Sequence, residues 1–283
     1  MGTLRTSTGL RVLSPADLPR ALALLARDPL INVFVEHRTR QTGLDRRTLG
    51  GEMWGYERGD DLVAMCHAGA NLVPVCATSP ALASFAERAV AVGRICSSIV
   101  GPCEQVDELW DRLRPHWGPE RLLRDRQPFL VTDRAPDVEP DPGVRLVREH
   151  ELDLLYPASV AMFTEEVGVS PEIGEGRQLY RARVRQLISR GFALARIEDG
   201  RVVFKAEIGA VTPTACQVQG VWVDPQRRGE GISAPGMAAV VNHALRFVAP
   251  VVTLYVNRHN ERARRAYARV GFEQTAEFTT VLF

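Results

Sequence analysis

Lysine is almost absent from this chain of 283 residues: every basic residue is arginine except Lys205. We read that bias as genomic composition before any binding role. An excess of either charge is missing as well. Thirty-five basic residues against thirty-four acidic ones leave a net charge of +1, so nothing global points to nucleic acid or an anionic membrane, and charge selectivity has to be local. The five cysteines, Cys66, Cys76, Cys96, Cys103 and Cys216, are scattered, with no C-x-x-C or Cys/His ligand spacing. That argues against disulfides and against a metal, and it fits a reducing cytoplasm. No apolar window approaches the roughly 20 residues of a membrane span, and the start lacks a charged-then-apolar leader. A cytoplasmic protein with no membrane partner is expected. What remains is ordinary globular material, 45% hydrophobic and 24% charged, long enough for about two domains.

Taken in order, residues up to about Gly9 read as a disordered start, and 10–13 as a short strand. Ser14-Pro15 is a helix start, with Leu18, Ala21, Leu22 and Leu25 at helical spacing. The arginine-rich stretch Arg38 to Arg47 reads as a solvated helix face or loop. Strand-like runs 53–57 and 62–67 flank the hairpin residues Arg58-Gly59-Asp60-Asp61, and 72–75 follows them. A helix from Ser79-Pro80, a buried strand over 95–101, a helix over 105–117 and a strand at 129–132 complete a first half, 1–133. The Pro- and Asp-rich 134–143 is a linker. The second half, 144–283, restarts the order with a strand at 144–147, a helix over 149–163 and another over 176–190. Strands 192–197 and 201–208 are then joined by the hairpin Glu198-Asp199-Gly200. A helix from Gly231 to about Phe247, a strand at 251–256, a helix from Asn260 to Val270 and a strand region 272–283 close it.

The stretch Val218 to Ser233 is the most informative. A strand ends at Asp224-Pro225 and runs into Gln226-Arg227-Arg228-Gly229-Glu230-Gly231, where a new helix begins. Two glycines there admit close approach to the main chain, and the helix points free N–H groups and its positive dipole end at the turn, an anion cradle. The segment resembles the Q/R-x-x-G-x-G/A signature of the GNAT superfamily of N-acetyltransferases. Asn260-x-x-Ala263-x-x-Ala266-Tyr267-x-Arg269-x-Gly271-Phe272 resembles that family's second block.

The resemblance implies an α/β (α+β) protein of two tandem GNAT-like domains, each a mixed, mostly antiparallel sheet flanked by helices, with the second catalytic. It implies acetyl-coenzyme A as co-substrate and an amine as acceptor. Residues Arg228, Gly229, Gly231 and Ile232 would hold the pyrophosphate through their main-chain N–H groups, and Val221 and Val223 would offer strand-edge groups to the pantetheine arm. Asn260 would contact the coenzyme near its middle, or simply cap a helix. Tyr267 would protonate the departing thiolate. Where some family members carry a strand glutamate this chain has Gln217 and Gln219, so the base falls to Glu207, with Glu165 or Glu166, in the segment after the first helix, as the other carboxylate candidates; a water chain would also serve. Cys216 is set aside as a small buried hydrophobe. The first half looks like a degenerate copy, similar to the N-terminal domain of some actinobacterial acetyltransferases. Its turn Cys76 to Pro80 has no glycine, so no coenzyme is expected there; its role is to wall the acceptor site or mediate assembly, and a homodimer is left open. Transfer of a longer acyl or an aminoacyl group, or a non-catalytic coenzyme-A-binding module, are the rival functions.

Overall fold

The computed structural model describes residues 8–174 and 176–283. The first half of the chain carries β1 (Thr8–Val12), α1 (Leu18–Leu25), α2 (Val33–Thr42), α3 (Arg46–Leu49), β2 (Glu52–Arg58), β3 (Asp61–Ala68) and β4 (Asn71–Val75). It continues with α4 (Ser79–Val92), β5 (Ser98–Pro102), α5 (Cys103–Trp117) and β6 (Leu122–Thr132). The second half carries β7 (Val144–Leu146), α6 (Leu152–Val167), α7 (Gly176–Ser189), β8 (Ala193–Glu198), β9 (Arg201–Val211) and β10 (Cys216–Val223). Then come α8 (Ser233–Phe247), β11 (Val252–Tyr255), α9 (Glu261–Arg269) and β12 (Glu273–Leu282).

The chain divides into two compact units, the first comprising 1–129, 255–259 and 274–283 and the second 130–254 and 260–273. Unit 1 has the strand order β1-β2-β3-β4-β5-β12-β6. All its characterised pairings are antiparallel except β4 with β5. Although 272–283 follows the second half in sequence, β12 groups with unit 1. It pairs antiparallel with β5 from Phe278↔Pro102 to Leu282↔Ser98, and Val281 is buried in that unit's core beside Ile99 and Trp110. Unit 2 has the order β11-β10-β9-β8-β7, again antiparallel except for β10 with β11.

In unit 2 the hairpin between β8 and β9 forms because Asp199 and Gly200 both adopt positive φ, 47° and 75°, the backbone that matches strand twist. The α6 and α7 side of this sheet is covered by Leu155, Met162, Val184 and Ile188, packed with Ala193, Ala195 and Trp222. On the α8 side, Phe204 is fully buried beneath Gly236, where an added Cβ would come within 2.9 Å of the ring.

Several boundaries differ from the sequence reading for physical reasons. The disordered start expected up to about Gly9 falls mostly outside the described residues, and Thr8 and Gly9 already belong to β1. α8 begins at Ser233 rather than Gly231, because Gly231 has φ 81° and cannot enter a right-handed helix. β6 begins at Leu122, earlier than expected; its first half is mostly exposed and lacks the apolar-polar alternation that would mark a strand.

The start of α6 is tied down by Glu151, which is buried and accepts from Arg145 Nη1 at 2.8 Å, Arg145 Nη2 at 2.7 Å and the Arg148 N–H at 2.8 Å. The hydrogen bonds from Arg145 hold its carboxyl down at about 2, against an ordinary 4.5. A depressed carboxyl contributes stability above its unfolded value, so this contribution is complete above pH 4.5 and drains away as pH falls towards 2. Glu151→Gln should therefore cost about 2 kcal/mol at pH 7 in denaturant unfolding and clearly less near pH 2.5. An equal cost at both pH values would contradict the assignment.

Candidate active site

β10 and β11 are parallel for only two residue pairs, Cys216↔Val252 and Gln217↔Thr253. Beyond Gln217, β10 keeps β9 on one edge and has no ladder to β11 on the other. Within that stretch β10 is bulged: Gln219 faces Glu207 and Trp222 faces Lys205, so Gly220 and Val221 together stand opposite Ala206. Gly220 has φ 58°, the left-handed backbone that a bulge of this kind uses and that glycine adopts without strain. The parted edge of β10 thus offers main-chain donors and acceptors to whatever enters.

The strand runs into a turn whose entry is fixed by Asp224, whose carboxylate accepts from the Gln226 N–H at 3.0 Å. Gly229 and Gly231 then take φ 96° and 81°, and an added Cβ at either would meet nothing within 4 Å. The turn is open space beside a helix with no side-chain cap. The N–H groups of its first turn and the positive end of its dipole therefore face that space, an arrangement that attracts anions. Arg228, in extended backbone between the short Pro225–Arg227 turn and Gly229, is not idle. Its Nη2 donates to Glu165 Oε2 at 2.7 Å and its Nε to the Val223 carbonyl at 3.1 Å. The Val223 carbonyl, expected to be free for a ligand, is therefore in use by the turn itself.

Asn260 caps α9, accepting from the Ala263 N–H at 3.1 Å, which places its side chain in the capping role first. Tyr267 lies on α9 and is buried, its ring edge-on to Phe272 at 5.9 Å. Burial, and next the Glu166 carboxylate, push its phenol well above the ordinary tyrosine range, so it stays protonated at neutral pH. Cys216 is fully buried, its thiol pushed up to about 12 by that burial, which removes it as a nucleophile.

Glu207 is in the body of β9 rather than at its end, and only 4% exposed. Its Oε1 accepts from Lys205 Nζ at 2.7 Å, and its Oε2 lies beside the bulge, 3.2 Å from where a Gly220 Cβ would stand. Glu165 joins α6 to the strand and the turn: its Oε1 accepts from Trp222 Nε1 at 3.2 Å and its Oε2 from Arg228. Glu166 adds to burial in raising the Tyr267 hydroxyl, and at Tyr180 burial and next Glu207 do most of the raising, with Glu166 contributing less. Tyr180 donates to the Ser159 carbonyl at 2.9 Å.

The residues that sequence reading missed are Lys205, Gly220, Tyr180 and Trp222. Two of them left a signal. A glycine inside an apolar strand marks a bulge or a close approach, and the only lysine of the chain sits in the middle of a strand that otherwise reads as buried. Among the described residues no group of His, Cys, Asp and Glu could hold a metal, and no helix is long and apolar enough to cross a membrane.

Residues 162–272 match the model of the acetyltransferase (GNAT) family, and residues 51–155 match one described as a domain of unknown function, DUF4081. Among curated proteins none matches the chain. The solved structures similar to it include a GCN5-related N-acetyltransferase from Sphaerobacter thermophilus, 19% identical, TM-score 0.59, with 98% of this chain and 96% of that one covered. A GNAT-family acetyltransferase from Colwellia psychrerythraea is 12% identical, TM-score 0.57, with 97% and 99% covered. A tandem GNAT protein from the clavulanic acid biosynthesis pathway is 16% identical, TM-score 0.56, with 98% of each chain covered. At such identities the likeness is one of fold, and the fold is the expected one: tandem GNAT-like units, each a mixed, mostly antiparallel sheet flanked by helices.

Because open space surrounds the Cβ position of Gly231, Gly231→Ala should cost only the left-handed backbone, about 1–2 kcal/mol, or a fall in Tm of about 2–8 °C. A fall much beyond about 10 °C in thermal unfolding would mean the turn is closed by neighbours rather than open to a ligand.

Proposed function

We propose that unit 2 transfers an acetyl group from acetyl-coenzyme A to a primary amine, on a small molecule or a protein lysine, by direct attack. The observation that carries this reading is the early parting of β10 from β11 beside the open turn at Gly229 and Gly231. The parted edge suits an extended amide-bearing arm, which pairs as a strand would, and the turn with its uncapped helix suits a pyrophosphate. Few ligands carry both at one strand's length.

The chemistry follows from these groups. Main-chain N–H groups at the bulge polarise the thioester carbonyl as negative charge develops on its oxygen. The neutral amine, formed when the ammonium loses a proton, attacks directly; the attacking nitrogen sheds a second proton to water as the tetrahedral intermediate collapses and the C–S bond breaks, and Glu207, beside the bulge, is the nearest carboxylate candidate for the first deprotonation. Tyr267, held neutral by burial, donates its proton to the departing thiolate, whose own ordinary value of about 8.5 lies far below that of the phenol. Proton transfer to sulfur therefore has to be coupled to C–S cleavage and offset by the phenol regaining a proton from solvent.

Unit 1 repeats the parallel pairing that stops after two residue pairs, Asn71↔Ser98 and Leu72↔Ile99, between β4 and β5. Its turn, however, is sealed: the Ala77 N–H donates to Gln105 Oε1 at 2.9 Å, and no glycine opens it. Unit 1 is then a degenerate copy that leaves coenzyme binding to unit 2, one site per chain. A second reading, a coenzyme-A-binding module without turnover, is favoured by one observation, the engagement of Glu207 by Lys205.

Release of free coenzyme A from acetyl-coenzyme A over a panel of small amines and lysine peptides separates the two readings. Turnover with at least one amine supports acyl transfer; binding without turnover over the whole panel supports the module. For Tyr267→Phe, kcat is expected to fall about 10²-fold while thermal stabilisation by coenzyme A is kept, about 2.7 kcal/mol at a hundredfold excess over Kd. Unchanged turnover would remove Tyr267 from the proton path.

A further inference from the structure

The one lysine of the chain is where arginine could not stand. Lys205 is 0% exposed, and its Nζ donates to Glu207 Oε1 at 2.7 Å and to the Gly220 carbonyl at 3.0 Å. A compact ammonium reaches both acceptors from one point, whereas a planar guanidinium is larger and spreads its donors over a fork. In a chain that uses arginine at every other such position, the one lysine is the buried one that holds these two partners.

The Gly220 carbonyl belongs to the peptide that forms the bulge. That peptide is trans, as are all the others described, so its C=O and the Val221 N–H point in opposite directions from one rigid plane. Gripping the carbonyl therefore aims the N–H, which faces away from the ammonium. Gly220 at φ 58° has the freedom to turn this plane either way, so something outside the strand has to choose. Glu207 neutralises the ammonium and keeps it under the bulge, and Met162 closes the same spot from α6, 3.0 Å from where a Gly220 Cβ would be.

We propose that Lys205 is a positioning residue for acyl transfer, gripping the Gly220 carbonyl so that the Val221 N–H is aimed at the acyl carbonyl of the donor. The inference rests on the acyl-transfer reading above and assigns a purpose to a residue that touches neither substrate. Its consequence is a split between binding and turnover. Coenzyme A without an acyl group has no carbonyl for the aimed N–H to polarise, so its affinity does not depend on Lys205.

The test is Lys205→Met, compared with the natural protein for coenzyme A affinity by calorimetry and for kcat and donor KM by coenzyme release. Expected is a loss of at least about tenfold in kcat, in the range of a mispositioned oxyanion donor, with coenzyme A Kd held within about threefold. Unchanged kcat overturns the proposal, and so does a parallel loss of kcat and coenzyme A affinity, which is what general loosening of unit 2 would produce. Since Lys205→Met strands the Glu207 carboxylate, it can fail to fold; the comparison is then K205M/E207Q against E207Q, where a further drop in kcat at constant coenzyme A Kd supports the role and equal kcat values overturn it. Natural protein that binds coenzyme A but releases none from any acyl donor with any amine overturns the acyl-transfer reading itself, and the inference with it, whereas an active natural protein with an indifferent lysine variant overturns the role of Lys205 alone.

Discussion

The separation of β10 from β11 is the constraint on which the rest of unit 2 depends. A strand inside a sheet normally satisfies its main-chain groups on both edges, and a group left unpaired away from water costs about as much as a lost hydrogen bond. β10 meets this demand fully only as far as Gln217, and past it only the β9 edge is laddered. The other edge stays available because it opens beside a turn that is itself open. Binding by such an edge asks little of side chains, which is why the proposed contacts, with the acyl carbonyl at Val221 and with the pantetheine arm at Val223, fall on residues with no polar group to offer.

Two ion pairs lie around that edge. Lys205 and Glu207 form a buried pair whose desolvation is offset by mutual attraction and by the Gly220 carbonyl. Glu165 links Trp222 on the strand to Arg228 in the turn, in a partly exposed ion pair that stabilises little by itself but fixes where the arginine rests. Unit 1 keeps the short parallel ladder and has none of this. Its turn spends a main-chain donor on Gln105, and nothing comparable to Lys205 can be present because the chain has no other lysine. The same strand-turn-helix order therefore leaves an open, glycine-bearing turn in one copy and a turn closed by Gln105 in the other.

Much of this was legible in the residues. The Glu198-Asp199-Gly200 hairpin, the glycines at 229 and 231 and the Asn260 cap all follow from local rules: left-handed backbone wants glycine, and a helix start wants a short polar side chain. The bulge at Gly220 was marked only by a glycine in a strand. The lone lysine inside an otherwise apolar strand marked Lys205, but its grip on the bulge was not marked, since it joins residues fifteen apart across a sheet. The Glu165 to Arg228 pair, sixty-three residues apart, was equally out of reach.

Sequence by itself determined the element order, the family to which 162–272 is similar, and which of the repeated turns carries the glycines that open it, because each of these depends on residues within a few positions of one another. Tertiary structure alone decided which carboxylate lies under the bulge, that the Val223 carbonyl is already taken by Arg228, and that the last strand, β12, groups with unit 1 beside β5. These are pairings between distant segments, chosen by where complementary hydrogen-bonding edges and apolar faces can both be buried, and a local pattern carries no record of that competition.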